Sequence, residues 1–341
     1  MSASSHPSLT RDPKPAPHSP TTTADQRLVE ALVTAMAAGV SPWRRPWDSF
    51  DGGHHVNLIS GRRYRGANPI LLTLGLQQRA SSLPYWCGYG EARRQGLVPR
   101  RGSKAVVVLR PQVHRRRSME CEHPTDADTG TSWVTYRPLP IFNAADLVGD
   151  ALPRLLDRRR QIDQQERRSE PVRLAAAEAL LGSWPVPVSH GGDQALYRPQ
   201  TDQILLPPRC AFVSAPAYYA TWAHEAIHSS GHSSRLNRDL NGRLDGSEEQ
   251  RRAYAREELV AELGAALLGD RLEIGAEVTH HAAYLEHWIQ LLQESPAVLY
   301  RVLSDARRAA DQIAPEAIHT SHPDAADPDE EDLGSLHPAA G

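Results

Sequence analysis

Cysteine is scarce in this 341-residue chain: Cys87, Cys121 and Cys210 lie far apart and form no CxxC pair. That spacing excludes a disulfide scaffold and argues against a thiolate metal site. Apolar residues never run uninterrupted for the ~18 positions that a membrane-spanning helix needs. The first 24 residues lack the charged-then-apolar order of an export signal, and 14 of them are Ser, Thr or Pro. They read as a disordered leader, and a reducing cytoplasm is the expected compartment. Lysine is almost missing too. Lys14 and Lys104 are the two in the chain, so its 38 basic residues are nearly all arginine. A GC-rich genome produces that bias, so arginine abundance alone says little about nucleic acid.

What charge there is lies unevenly. Residues 25–150 hold 17 basic against 11 acidic side chains, residues 151–314 hold 19 against 22, and the tail from Pro315 holds seven acids and no base. A modestly basic first part fits a polyanionic partner. Composition shifts at Asp150 to Arg, Gln, Glu, Leu and Ala. The expected organisation is therefore a leader (1–24), a first domain (25–150), a second domain (151–314) and an acidic disordered tail (315–341).

Apolar spacing predicts a helix from Asp25 through Leu28, Leu32 and Met36, ended by Gly39, and a second from Asn68-Pro69 to Gln78. A short helix is expected over 89–94, strands over 105–109 and 133–142, and a surface loop over 114–130. Beyond Asp150 the pattern predicts a helix over 152–181 broken near Pro171 and a hairpin at 195–197 and 204–206. Helices follow over 215–229, 248–268, 276–292 and 297–313. The fold class is α+β, with an α/β first domain and a mainly helical second.

His224-Glu225-Ala226-Ile227-His228 is an HExxH sequence flanked by Trp222, Ala223, Ala226 and Ile227, the apolar neighbours of a buried helix. Imidazoles at i and i+4 share one helix face, so both reach one ion, and Glu225 stands close enough to act as its base. A catalytic zinc site needs a third protein ligand and an open position. One known scheme places a histidine six residues after the second; here Ser234 occupies that position, and His232 comes two residues early behind a helix-ending glycine. The other scheme takes a glutamate from a later helix. Glu258 with Glu262 four residues on has that spacing, which assigns Glu258 as ligand and Glu262 as the carboxylate orienting an imidazole. Glu257 is the nearest competing ligand. The expected cofactor is one divalent ion, zinc by default, with manganese or iron also suited to two imidazoles and a carboxylate. Tyr254, His280, His281 and Tyr284 are alternative oxyanion stabilisers, and the sequence selects none of them.

In the first part, Trp43, Trp47, Tyr64, Tyr85, Trp86 and Tyr89 alternate with Arg44, Arg45, Arg62, Arg63, Arg65, Arg93, Arg94, Arg100, Arg101 and Lys104. Rings that stack bases and cations that hold phosphates are the two components of single-strand binding. Asn57, Gly61, Gly66 and Asn68 supply turn chemistry that shapes such a site.

Several stretches in one order resemble the ArdC-type antirestriction proteins. In the first part these are the helix ending at Gly39, Pro42-Trp43, Pro46-Trp47, Asn57, the run Gly61-Arg62-Arg63-Tyr64-Arg65-Gly66-Ala67-Asn68, Trp86 with Gly96, Arg101-Gly102-Ser103-Lys104, and Phe142-Asn143. In the second they are Tyr197, Asp202, Pro207, Tyr218 through His228, Gly231-His232, Arg235-Leu236 and Tyr254 through Leu268. Cys87-Gly88-Tyr89 and the long insertion over 115–130 depart from that family's pattern. The resemblance implies a single-stranded-DNA-binding domain fused to a zincin-like metallopeptidase domain, protecting incoming mobile DNA. It assigns DNA contact to Trp43, Arg44, Arg45, Trp47, Asn57, Arg63, Tyr64, Arg65, Asn68, Trp86, Arg101 and Lys104. Binding is expected without the ion, since no ligand precedes residue 151. Two other readings stand beside it: a binding protein with a structural ion, and a metalloprotease effector. A protein substrate is not identified, and no membrane partner is expected.

Overall fold

Helix α2 (Asn68–Gln77) is apolar nearly all round, which a helix tolerates when it is buried on every side. In the computed structural model of the chain, Ile70, Leu71 and Leu74 join one hydrophobic cluster, while Leu72 and Leu76 join another with Trp86, Val108 and Ile141. The structure describes residues 24–39, 54–79, 81–115, 132–242, 246–275, 285–294 and 297–316.

The first part is built on a four-stranded sheet in the order β1 (Val56–Asn57), β2 (Tyr85–Gly88), β5 (Ser132–Asn143), β4 (Val106–Arg115). Strand β5 carries Pro138 and Pro140 where β4 alone pairs with it; its pairing with β2 is confined to 141–143. Prolines are tolerated there because the sheet is one-sided at those positions. A short ribbon, β3 (Val98–Pro99) against β6 (Leu147–Val148), flanks helix α3 (Tyr89–Arg94). These short strands were not expected from the sequence; two to four residues carry no readable period.

The second part opens with α4 (Leu152–Glu166) and α5 (Glu170–Ser183), divided at the expected break, and a three-stranded sheet in the order β7 (Val188–His190), β9 (Gln203–Leu206), β8 (Leu196–Arg198). Helices α6 (Ala215–Ser230), α7 (Glu248–Leu272), α8 (Leu285–Glu294) and α9 (Ala297–Ile313) follow. The α+β expectation holds. Residues 276–284, which the sequence pattern assigned to a helix, lie outside the described residues, as does most of the expected loop over 114–130.

The halves are interlocked. Val29, Leu32 and Met36 of α1 (Ala24–Ala37) are buried in the same cluster as Trp222 and Ile227 of α6, Leu259 and Leu263 of α7, and Val302 and Ala306 of α9. A polar seam adds to this. His54 Nε2 lies 2.9 Å from Glu273 Oε1, and Arg168 Nε donates to Glu273 Oε2 at 3.1 Å. Burial pushes the Glu273 carboxyl up, but His54 and Arg168 outweigh it and hold the group at about 2. No helix among the described residues is long and apolar enough to cross a membrane.

Candidate functional site

Helix α6 starts where Ser214 accepts the Ala217 N–H at 3.2 Å, with Pro216 in the first turn, and ends at Gly231. Both signals suit those positions: a hydroxyl for a free donor, and a proline where no helical hydrogen bond is lost. Its C-terminal half brings His224, Glu225 and His228 against α7. Close approach is possible because position 264 is glycine; a Cβ there would stand 2.9 Å from the Ile227 side chain.

Three ligand atoms converge. His224 Nε2 and His228 Nε2 lie 3.1 Å apart, and each lies 3.7 Å from a Glu258 oxygen. A tetrahedral ion with bonds of about 2.0–2.1 Å sets its ligand atoms about 3.3 Å apart. The donor set and its spacing therefore fit a divalent ion. The outer nitrogens fit it as well. His224 Nδ1 is buried without a hydrogen bond among the described residues, and Glu262 Oε2 lies 3.8 Å from it.

His228 has a different support. Its Nδ1 lies 3.2 Å from Glu257 Oε1, and Arg238 grips Glu257 in a two-point pair at 2.9 and 2.7 Å. Arg238 also donates to the Ile227 carbonyl at 2.8 Å and to Ser230 Oγ at 2.9 Å, closing the end of α6. Glu257, the competing ligand in the sequence, thus sits on the outer nitrogen of His228 rather than with the converging atoms. Arg238 was missed altogether; it lies in the loop after the helix, where spacing carries no signal. His232 is turned to Ser234, 2.8 Å away, and not to the cluster. Removing the outer carboxylate by Glu257→Gln is expected to weaken metal affinity by about 10- to 100-fold. Titration with a competing chelator measures it, and unchanged affinity would show that Glu257 does not orient His228.

Charge follows from this packing. Burial alone would raise the Glu258 carboxyl, but the two imidazoles facing it at 3.7 Å, His228 foremost, hold it well below the usual carboxylate range. Burial raises the Glu225 carboxyl against the pull of the two imidazoles, and the Tyr197 backbone N–H of β8 donates to it. That strand is tied down: Tyr197 donates its hydroxyl to Asp202 at 2.7 Å, and Arg235 pairs with Asp202 while donating to the Ser229 carbonyl at 2.7 Å.

Of the residues assigned to DNA contact, those the structure describes are not gathered on one surface. Trp43, Arg44, Arg45 and Trp47 lie outside the described residues. Trp86 is fully buried and donates its indole N–H to His55 at 3.0 Å, so neither face of its ring is open. Asn68 is also engaged inside, accepting the Leu109 N–H at 2.7 Å and donating to its carbonyl at 3.0 Å. Asn57 builds a turn, accepting from Ile59 and Ser60 and donating to Glu91 at 2.8 Å. Tyr64 packs on the Trp86 cluster and hydrogen-bonds Asn57. Arg63 lies 3.7 Å from Glu273. Arg65, Arg101 and Lys104 are exposed.

Two family models match the chain: the N-terminal domain of anti-restriction factor ArdC over residues 22–140, and a zincin-like metallopeptidase over residues 175–305. This chain is an ArdC-type protein. It is similar along its length to crystal structures of the antirestriction ArdC protein from plasmid R388. The metal-free form is 26% identical with a TM-score of 0.58, covering 85% of this chain and 96% of that one. The Mn(II)-bound form is 27% identical with the same TM-score, covering 88% and 100%. Among sequence relatives, a DNA primase TraC of Escherichia coli is 36% identical over 302 residues. The uncharacterized protein y4eC of Sinorhizobium fredii is 29% identical over 296 residues, covering 84% of this chain and 90% of y4eC. The ArdC-type chain spans 27% of that primase, and 19% of a second TraC to which it is 32% identical.

Proposed function

We propose that this ArdC-type chain is an antirestriction protein that binds single-stranded DNA through residues 25–150. Its second part, 151–314, holds a divalent ion for hydrolytic chemistry. The observation that carries the second half is the convergence of His224, His228 and Glu258 beside Glu225. When bound, the ion supplies an acidified water and a Lewis acid. Glu225 is the proton acceptor: burial raises its carboxyl, and the Tyr197 N–H holds it in place. Two imidazoles and one carboxylate accept zinc, manganese or iron, and the Mn(II) form of the R388 protein supports the middle choice.

The burial of His224, Glu225 and Glu258, with His228 partly covered, favours one other reading, an ion that staples α6 to α7. Glu225→Gln separates the two, because Glu225 is not a ligand. The substitution should leave metal content and folding intact while abolishing protection of unmodified plasmid DNA entering a restricting host. Full protection by the Gln variant would establish the stapling role.

A further inference from the structure

Trp86 and Tyr64 are engaged inside, and Trp43 and Trp47 lie outside the described residues, so among the described residues a ring that stacks a base comes from elsewhere. Among the described residues of the first part, Tyr89 (47% exposed) and Tyr136 (43%) are the exposed large aromatics. They differ in company. The Arg307 guanidinium lies over Tyr136 at 5.6 Å and is already paired with Asp311 at 2.6 Å, so that ring sits beside an acid. Over Tyr89 lies Arg93, at 5.9 Å from the ring centroid. Glu91, on the same short helix, is turned inward onto Asn57 and the Gly88 N–H, and Asp146 is taken up by Arg79.

Beside α3, the β3–β6 ribbon exposes Val98 and Val148, which are partners across the ribbon. The chain continuing from it exposes Arg100, Arg101 and Lys104, and Arg94 is exposed at the end of α3. None of these four side chains forms an ion pair among the described residues. Asp150 follows Gly149, which meets the Gly96 carbonyl at the opposite end of the ribbon, and Asp146 beside Arg100 is neutralised by Arg79, so the Arg100–Lys104 end is left positive.

We infer that a single DNA strand crosses α3 and the β3–β6 ribbon, stacking a base on Tyr89 while Arg94, Arg100, Arg101 and Lys104 hold its phosphates. A ring open to solvent supplies the sequence-tolerant part of single-strand binding, and unpaired cations supply the salt-dependent part. The assignment rests on the proposed single-strand activity and names where it resides.

The test uses the full chain and a labelled oligothymidylate, read by fluorescence anisotropy. Tyr89→Ala should weaken binding by about 5- to 150-fold at every salt concentration, and Tyr89→Phe should keep it. Arg100→Ala with Arg101→Ala should lower the salt slope by about 0.7 per cation. Photocrosslinking to an iododeoxyuridine strand should label the peptide holding Tyr89, a readout that needs no substitution. Wild-type binding with an unaffected Tyr89→Ala variant, or a crosslink elsewhere, overturns the platform and leaves single-strand activity standing. A wild-type chain that binds no single strand overturns both.

Discussion

A chain carrying His224→Ala and His228→Ala should hold no more than background metal, where the unaltered protein should hold about one divalent ion per chain. The expectation follows from the site's construction. Two nitrogens and a carboxylate oxygen from neighbouring helices face one point, and each has its partner group set by packing. Glu258 alone cannot hold an ion tightly once both imidazoles are gone. Because an ion that binds the native but not the unfolded chain adds to stability, metal removal should also lower the melting temperature. At a free concentration a hundredfold above its dissociation constant, the ion contributes about 2.7 kcal/mol. The double variant should show no such difference between metal-loaded and chelated samples. Elemental analysis and thermal unfolding in parallel check both statements, and normal metal content in the variant would refute the ligand assignment.

How far such a site can be read in advance depends on whether its geometry is local. His224, Glu225 and His228 lie on one helix, where a fixed rise and turn convert spacing into position. The Glu258–Glu262 spacing works in the same way: both carboxylates return to one face of α7, and both meet the imidazoles. Glu257 was harder to place because neighbouring residues on a helix point about 100° apart. It still reaches the site, because a second residue, Arg238, wraps back from the loop and holds it there. Nothing local announces Arg238. The same distinction explains Trp86. Composition counts a ring next to arginines, but its burial depends on α2 folding across a sheet whose strands come from distant parts of the chain. Helices α6, α7 and α9 could be delimited closely, while strands of two residues, defined only by their partners, could not.

A fragment of residues 24–150 should fail to fold cooperatively on its own, although composition shifts at Asp150 and the two family models meet the chain on either side of it. The reason lies in which surfaces α1 and α2 cover. Val29, Leu32, Met36, Ile70, Leu71 and Leu74 are each at most 5% exposed, and all belong to the cluster built mainly by α6, α7 and α9. Exposing an apolar side chain of this size costs about 1.5–3 kcal/mol. Six of them together reach about 9–18 kcal/mol, comparable with the whole stability of an ordinary domain, about 5–15 kcal/mol. The truncation would also strip His54 and Arg63 of the carboxylate at Glu273. What remains is two small clusters, one around Tyr85, Leu97 and Leu147 and one around Leu72, Trp86 and Ile141, neither large enough to replace that loss. Circular dichroism and urea unfolding of the fragment against the full chain make the comparison. A cooperative transition in the isolated fragment would show that α1 and α2 find another packing, and that the first part is a self-sufficient module. Without such a transition, the first and second parts share one core, and a substitution such as Ile227→Ala should loosen both together.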